Sequence, residues 1–238
     1  MWVMGQLQSM PAVSLDQAKL AAFGKQWEKN GQRLSRSKPY SSMELGELID
    51  QAVGESLAIM LNTSIVKPTA TALLPAQYDV VEVGPLRVIG GVRPQNFDVG
   101  YRPDGVRITF DSKTLNDADS VRKNYQNMIN DLATEATTVH SRFPHAIVGF
   151  VVAIPQPCLK EPQQSALVGT LERLAGRTGP EDADHLAEAM SLVIWHPEDG
   201  SIASDLPNLG SLLRIENFSQ QVERAYLARY KGLPPHAE

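Results

Sequence analysis

One cysteine, Cys158, stands among 238 residues. A single thiol excludes an intramolecular disulfide and a cysteine-built zinc site, and it fits a reducing compartment. Aromatic residues are scarce, at 6%. No apolar run approaches the ~20 residues that a bilayer-crossing helix needs. The segment 1–11 has no basic stretch followed by an apolar core, so no secretory leader is expected. These absences lead to the expectation of a cytoplasmic protein without a membrane partner.

Several chemical signatures are missing as well. Gly84-Pro85 and Gly90-Gly91 read as turn glycines, and neither fits a dinucleotide fingerprint or a P-loop. No nucleophile elbow of the form G-x-S-x-G and no H-E-x-x-H zinc motif occurs. His140 and His145, near Arg142, therefore read as capping or surface residues. Internal repeats and low-complexity tracts are absent, which excludes solenoids. An excess of positive charge is also lacking: the formal net charge is −5. Charge is uneven along the chain, however. Residues 25–38 carry Lys25, Lys29, Arg33, Arg36 and Lys38 against Glu28 alone. Such a run is either a solvated surface segment or a phosphate-contacting one.

What remains is ordinary globular material, 42% hydrophobic and 21% charged, with no linker-like boundary. One domain is expected, with a core at 41–155, a helical extension at 1–40 and additions at 156–238 that could serve dimerisation or specificity. Helices are expected at 14–29, capped by Ser14 or Asp16, and at about 42–62, capped by Ser41 or Ser42. Between Tyr78 and Lys113 the period changes to short β-rich runs divided by Gly and Pro, at 78–83, 86–89, 97–101 and 106–112. A second long helix, 116–140, has an apolar stripe that includes Val121, Met128, Leu132, Ala136 and Val139. The run 146–154 is apolar almost throughout, as a strand buried on both faces reads. Helix 163–174, strand 189–195 and helix 219–231 follow. This order implies an α/β (α+β) fold: a central mixed sheet flanked by helices.

The chemistry concentrates in residues 98–113. Pro103-Asp104-Gly105 is a turn signal joining two strands. Asp111-Ser112-Lys113 closes the second strand, where alternation puts Asp111 and Lys113 on one face. The D-x-K letters alone mean little, since roughly one such triplet arises by chance in a chain like this. If the turn centres on Asp104-Gly105, however, Asp98 lies opposite Asp111, with Cβ atoms about 4.5–5.5 Å apart. Two carboxylates so close repel unless a cation lies between them or one takes up a proton. The competing reading is a cross-strand salt-bridge cluster on an exposed hairpin.

A helix, a strand meander, a helix and a buried strand, with an acid late in one strand and D-x-K in the next, resembles the PD-(D/E)XK nuclease superfamily and its type II restriction endonucleases. The match covers roughly 41–155. It departs from the family pattern in having Phe97, rather than proline, before Asp98. The resemblance implies a restriction-endonuclease-like core in which Asp98 and Asp111, with the Ser112 carbonyl, hold Mg²⁺. Lys113 would position the attacking water or stabilise the transition state. Members often add an acid from the preceding helix, and Glu55 is the candidate; its other reading is the edge of an amphipathic helix. The implied activity is Mg²⁺-dependent hydrolysis of double-stranded DNA by a homodimeric endonuclease. A repair or junction-resolving nuclease, or a non-catalytic DNA- or protein-binding module, are the alternatives. Lys123, Asn124 and Asn127 on the second long helix, with Arg33, Arg36 and Lys38, are candidate DNA contacts, although helix solvation explains the first three equally well.

Overall fold

The computed structural model describes residues 6–35, 37–69, 71–75 and 77–236. It contains a mixed six-stranded sheet in the order β1-β2-β3-β4-β5-β6, flanked by helices. Helix α1 (Gln17–Lys29) starts where the Asp16 carboxylate accepts the Lys19 amide, satisfying one of the orphan donors of its first turn. Helix α2 (Ser42–Met60) opens with a reciprocal capping box between Ser41 and Glu44. Strands β1 (Ser64–Val66), β2 (Val80–Ile89), β3 (Pro94–Tyr101) and β4 (Ile108–Thr114) follow, then α3 (Ala118–His140), capped by Asp117. Strand β5 (Ile147–Pro155), α4 (Gln163–Leu174), β6 (Ala189–Trp195) and α5 (Ile215–Tyr230) complete the chain.

The expected elements are present, with two differences. The runs 78–83 and 86–89 form one strand, β2, broken in register between Val83 and Leu86. There Gly84, at φ +123°, and Pro85 form a bulge that only a glycine enters without strain. The short edge strand β1 carries no alternation that would have announced it; it pairs in parallel with β2. Strands β2, β3 and β4 form an antiparallel meander, and β4, β5 and β6 run parallel. Every residue of β5 and β6 is buried, as expected for strands covered on both faces. The segment 156–238 is thus part of the central layer, contributing β6 to the same sheet.

Alternation along β4 divides the sheet's two faces. The Phe110 ring meets Phe218 of α5 edge-on at 5.8 Å, and Ser112 faces Gly46 of α2. Asp111 and Lys113 point the other way, where Glu135 of α3 lies. His140 corrects the expectation of a capping or surface role. It is 1% exposed; Nε2 lies 3.2 Å from Glu188 and Nδ1 lies 2.8 Å from the Asp184 carbonyl. Glu188 also accepts from Arg177, Arg229 and the Val148 amide. Burial opposes its charge, but His140 and Arg229 outweigh that cost and hold its carboxyl below the usual range. This buried knot ties α3, β5, β6 and α5 together.

Candidate functional site

The β3–β4 ladder pairs Tyr101 with Ile108, Gly100 with Thr109 and Val99 with Phe110, then stops. This is the register that a turn centred on Asp104-Gly105 dictates, and it makes Asp98 and Asp111 the next facing pair. Where the ladder opens, the Asp98 carboxylate replaces a main-chain acceptor and takes the Ser112 amide at 3.2 Å. The Asp98 and Asp111 carboxyls lie close enough to perturb each other's ionisation. Burial, then Asp111, push Asp98 up to about 8. Burial raises Asp111 as well, but Asp98 and the Lys113 ammonium limit the rise to about 6. A proton on one of two facing carboxyls relieves their repulsion.

Lys113 completes the group. Its ammonium contacts Asp111 Oδ2 and lies 2.9 Å from Glu135 Oε1. Burial works to lower its pKa, but the two carboxylates more than compensate and raise it. A cross-strand ion cluster is therefore real, yet it is not an exposed one: Asp111 is 7% exposed and Glu135 4%. Pairing at this depth is not the weak surface kind.

The helix acid that joins the site is Asp50. It is 7% exposed and its carboxyl is pushed up to about 8, by burial first and then by the charge of Asp98. Ser112 works against that rise, and the Asp50 Oδ1 is buried without a partner. Two glycines one turn away on either side explain how α2 comes so close. A Cβ on Gly46 would sit 3.2 Å from Ser112 Oγ, and one on Gly54 only 2.3 Å from Val83 Cγ2. The series Gly46-Asp50-Gly54 at i, i+4, i+8 therefore lays the helix on the sheet with Asp50 between. Glu55 is not brought in: it is exposed and accepts from Gln51 Nε2 at 2.8 Å. The helical wheel puts it at the apolar border, but the residues nearest the sheet are the glycines, and they select the face one position away.

Glu135 is the other residue that sequence reasoning missed. It falls within the α3 stripe between Leu132 and Val139, and a charged residue at an apolar position was the signal. A groove of about 970 Å³ runs from Asp50, Asp98, Ser112 and Thr114 outward between α2 and β1–β2, past Met43, Val66 and Lys67. On the α3 side, Asn124, Asn127 and Asp131 border a smaller recess of about 280 Å³ beside Lys113. Asn124 and Asn127 thus lie next to the cluster. Lys123 is exposed and 3.9 Å from Asp119, whereas Lys38 is exposed and within 3.8 Å of both Glu44 and Glu47. Arg33 is exposed, close enough to Asp119 to lower that carboxyl, and Arg36 lies outside the described residues.

Asp50, Asp98 and Asp111, with the Ser112 carbonyl, offer oxygen donors only, the set that hard Mg²⁺ favours. The unpartnered Asp50 oxygen and the facing pair fit a cation. Among the described residues, however, no group of three His, Cys, Asp or Glu side chains stands ready to hold a metal. Asp111 is engaged by Lys113 through Oδ2 and Asp98 by the Ser112 amide. No helix among the described residues is long and apolar enough to cross a membrane. Comparison of the chain with protein-family models, with curated proteins and with solved structures finds no match.

Proposed function

We propose that this chain is a PD-(D/E)XK-type endonuclease that hydrolyses phosphodiester bonds of duplex DNA with Mg²⁺, as a homodimer of the type II restriction kind. One observation carries the reading. Asp98, Asp111 and Lys113 converge where the β3–β4 ladder opens, and Asp50 reaches them from α2. A purely structural ion cluster has no need of three raised carboxyls around one lysine, since each costs stability that an apolar residue would not.

Asp98 and Asp111 would hold the cation, with Asp50 and the Ser112 carbonyl at its edge. Bound Mg²⁺ supplies positive charge to the scissile phosphate and acidifies the attacking water. The water oxygen would form a bond to phosphorus as the P–O3′ bond breaks, the proton it releases passing to solvent and the leaving oxygen taking one from solvent. Lys113 donates to a phosphate oxygen that gains charge in the transition state, from a site dry enough to strengthen that contact. Asn124 and Asn127 flank the lysine and suit hydrogen bonds to the DNA backbone or to base edges. Two-fold symmetry would place one such centre on each strand.

Incubation of the purified protein with plasmid and phage DNA, in Mg²⁺ and then in EDTA, tests the reading. Discrete fragments in Mg²⁺ alone, lost in Asp111→Ala, are expected. Cleavage confined to branched DNA would move the assignment to a junction-resolving nuclease. No cleavage of any DNA, with DNA binding the same in wild type and Asp111→Ala, would overturn it.

A further inference from the structure

Glu135 lies in the middle of α3, 4% exposed, at a position that Leu would fill without a break in the stripe. Its Oε1 accepts from Lys113 Nζ at 2.9 Å and from Gln95 Nε2 at 3.1 Å. Its Oε2 is buried with no partner. Buried carboxylates in native proteins normally have both oxygens satisfied, so an acid kept half-satisfied calls for a reason beyond packing. Among the described residues, the cation that this carboxylate holds is Lys113.

Lys113 is shared between two faces of the problem. In the metal-free protein its ammonium bonds both Asp111 and Glu135. On the reading proposed above, Asp111 is a metal ligand, and a divalent cation there repels the ammonium. Lys113 then keeps a single anionic partner, Glu135, whose open oxygen offers it a second acceptor away from the metal. We infer that Glu135 is a positioning residue: it takes Lys113 from Asp111 when the cation binds, and keeps the ammonium beside the reacting phosphate. Without it, Lys113 would stay on Asp111 and compete with the metal, or leave the site altogether.

The inference rests on the proposed nuclease reading, and a double-mutant cycle separates the two. Calorimetric Mg²⁺ titration of the protein alone is compared for wild type, Glu135→Gln, Lys113→Met and the double variant, with cleavage kinetics for the first two. Outer-shell partners of metal ligands are typically worth about 10–100-fold in affinity or activity. Glu135→Gln is therefore expected to weaken Mg²⁺ binding about tenfold and to lower kcat by a similar factor, leaving KM for DNA unchanged. In the Lys113→Met background the same change should have less than a roughly twofold effect, because the lysine it acts through is gone. Asp131→Asn, which removes an exposed charge from the same helix beside the recess, should leave Mg²⁺ binding intact. Gln95→Leu, which removes the amide that steadies Glu135, should give a smaller loss in the same direction and serves if Glu135→Gln does not fold. Equal losses with and without Lys113, an equal loss in Asp131→Asn, or wild-type behaviour of both Glu135→Gln and Gln95→Leu would overturn the inference while the nuclease reading stands. A wild type that neither binds Mg²⁺ nor cuts DNA would overturn both.

Discussion

Replacing Asp98 by asparagine should make the metal-free protein more stable at pH 8 and much less so at pH 5. The Asp98 carboxyl is pushed from 3.8 to about 8, by burial and then by Asp111. The folded state thus holds a proton that the unfolded state has released. With a folded pKa above the unfolded one, the unfolded chain binds fewer protons throughout that window, and stability falls as pH rises through it. At about 1.36 kcal/mol per pH unit, the full shift amounts to about 6 kcal/mol. Because Asp111 and Asp50 bear part of the repulsion, about 2–3 kcal/mol is expected from Asp98 itself at pH 8. The introduced amide would mimic the protonated acid, its carbonyl accepting the Ser112 amide and its NH₂ donating to Asp111. Urea unfolding in EDTA, followed by fluorescence of the fully buried Trp27 and Trp195, gives the free energies directly. In thermal melts the gain corresponds to about 4–10 °C at pH 8. Mg²⁺ should raise the wild-type Tm and leave that of the variant nearly unmoved. A variant less stable than wild type at pH 8, or equally stabilised at pH 5 and pH 8, would show that the pair is not held together against its own charge.

Asp50→Asn is expected to abolish cleavage, whereas Glu55→Gln leaves cleavage intact and shifts stability by less than about 0.5 kcal/mol; initial rates and urea midpoints decide both. Gly54→Ala puts a methyl 2.3 Å from Val83 Cγ2, forcing α2 off the sheet. A loss of about 1–3 kcal/mol is expected, with weaker Mg²⁺ binding because Asp50 moves with the helix; melts and calorimetry measure the two effects. Glu188→Gln leaves Arg177 and Arg229 without a buried counter-charge, so a loss of about 3–5 kcal/mol in urea unfolding is expected, without change at the carboxylate cluster.

How far the sequence could be read varies with the kind of signal. Helices with a periodic apolar stripe and strands with an unbroken apolar run were legible because both depend on residues near in sequence: Gln163–Leu174 and Ala189–Trp195 lie where periodicity places them. The Asp98–Asp111 register was legible for the same reason, since a turn of fixed centre determines every pair back along the hairpin. Strand β1 was not: its three residues owe their conformation to pairing with β2, a long-range contact. Asp50 and Glu135 escape notice for opposite reasons. The positions of the apolar residues favour Glu55 over Asp50, although closest approach to a sheet is set by the smallest residues. Glu135 is passed over because a carboxylate inside an apolar stripe reads as a boundary until the lysine facing it is known.

The distribution of charge explains why an acidic chain can still be read as handling a polyanion. Of the basic run at 25–38, Lys38 lies beside Glu44 and Glu47, and Arg33 adds a small part to the lowering of Asp119, behind Arg122 and Lys123. Of the described residues bordering the large groove, Lys67 is the sole base, against Glu47, Asp50 and Asp98. Few lysines or arginines are there to replace counterions on a phosphate backbone. Binding and chemistry would then share one requirement. On the proposed reading, a cation held by Asp98 and Asp111 would add the positive charge that a phosphodiester needs there. Lys113 contributes little of it, because its charge is divided between Asp111 and Glu135.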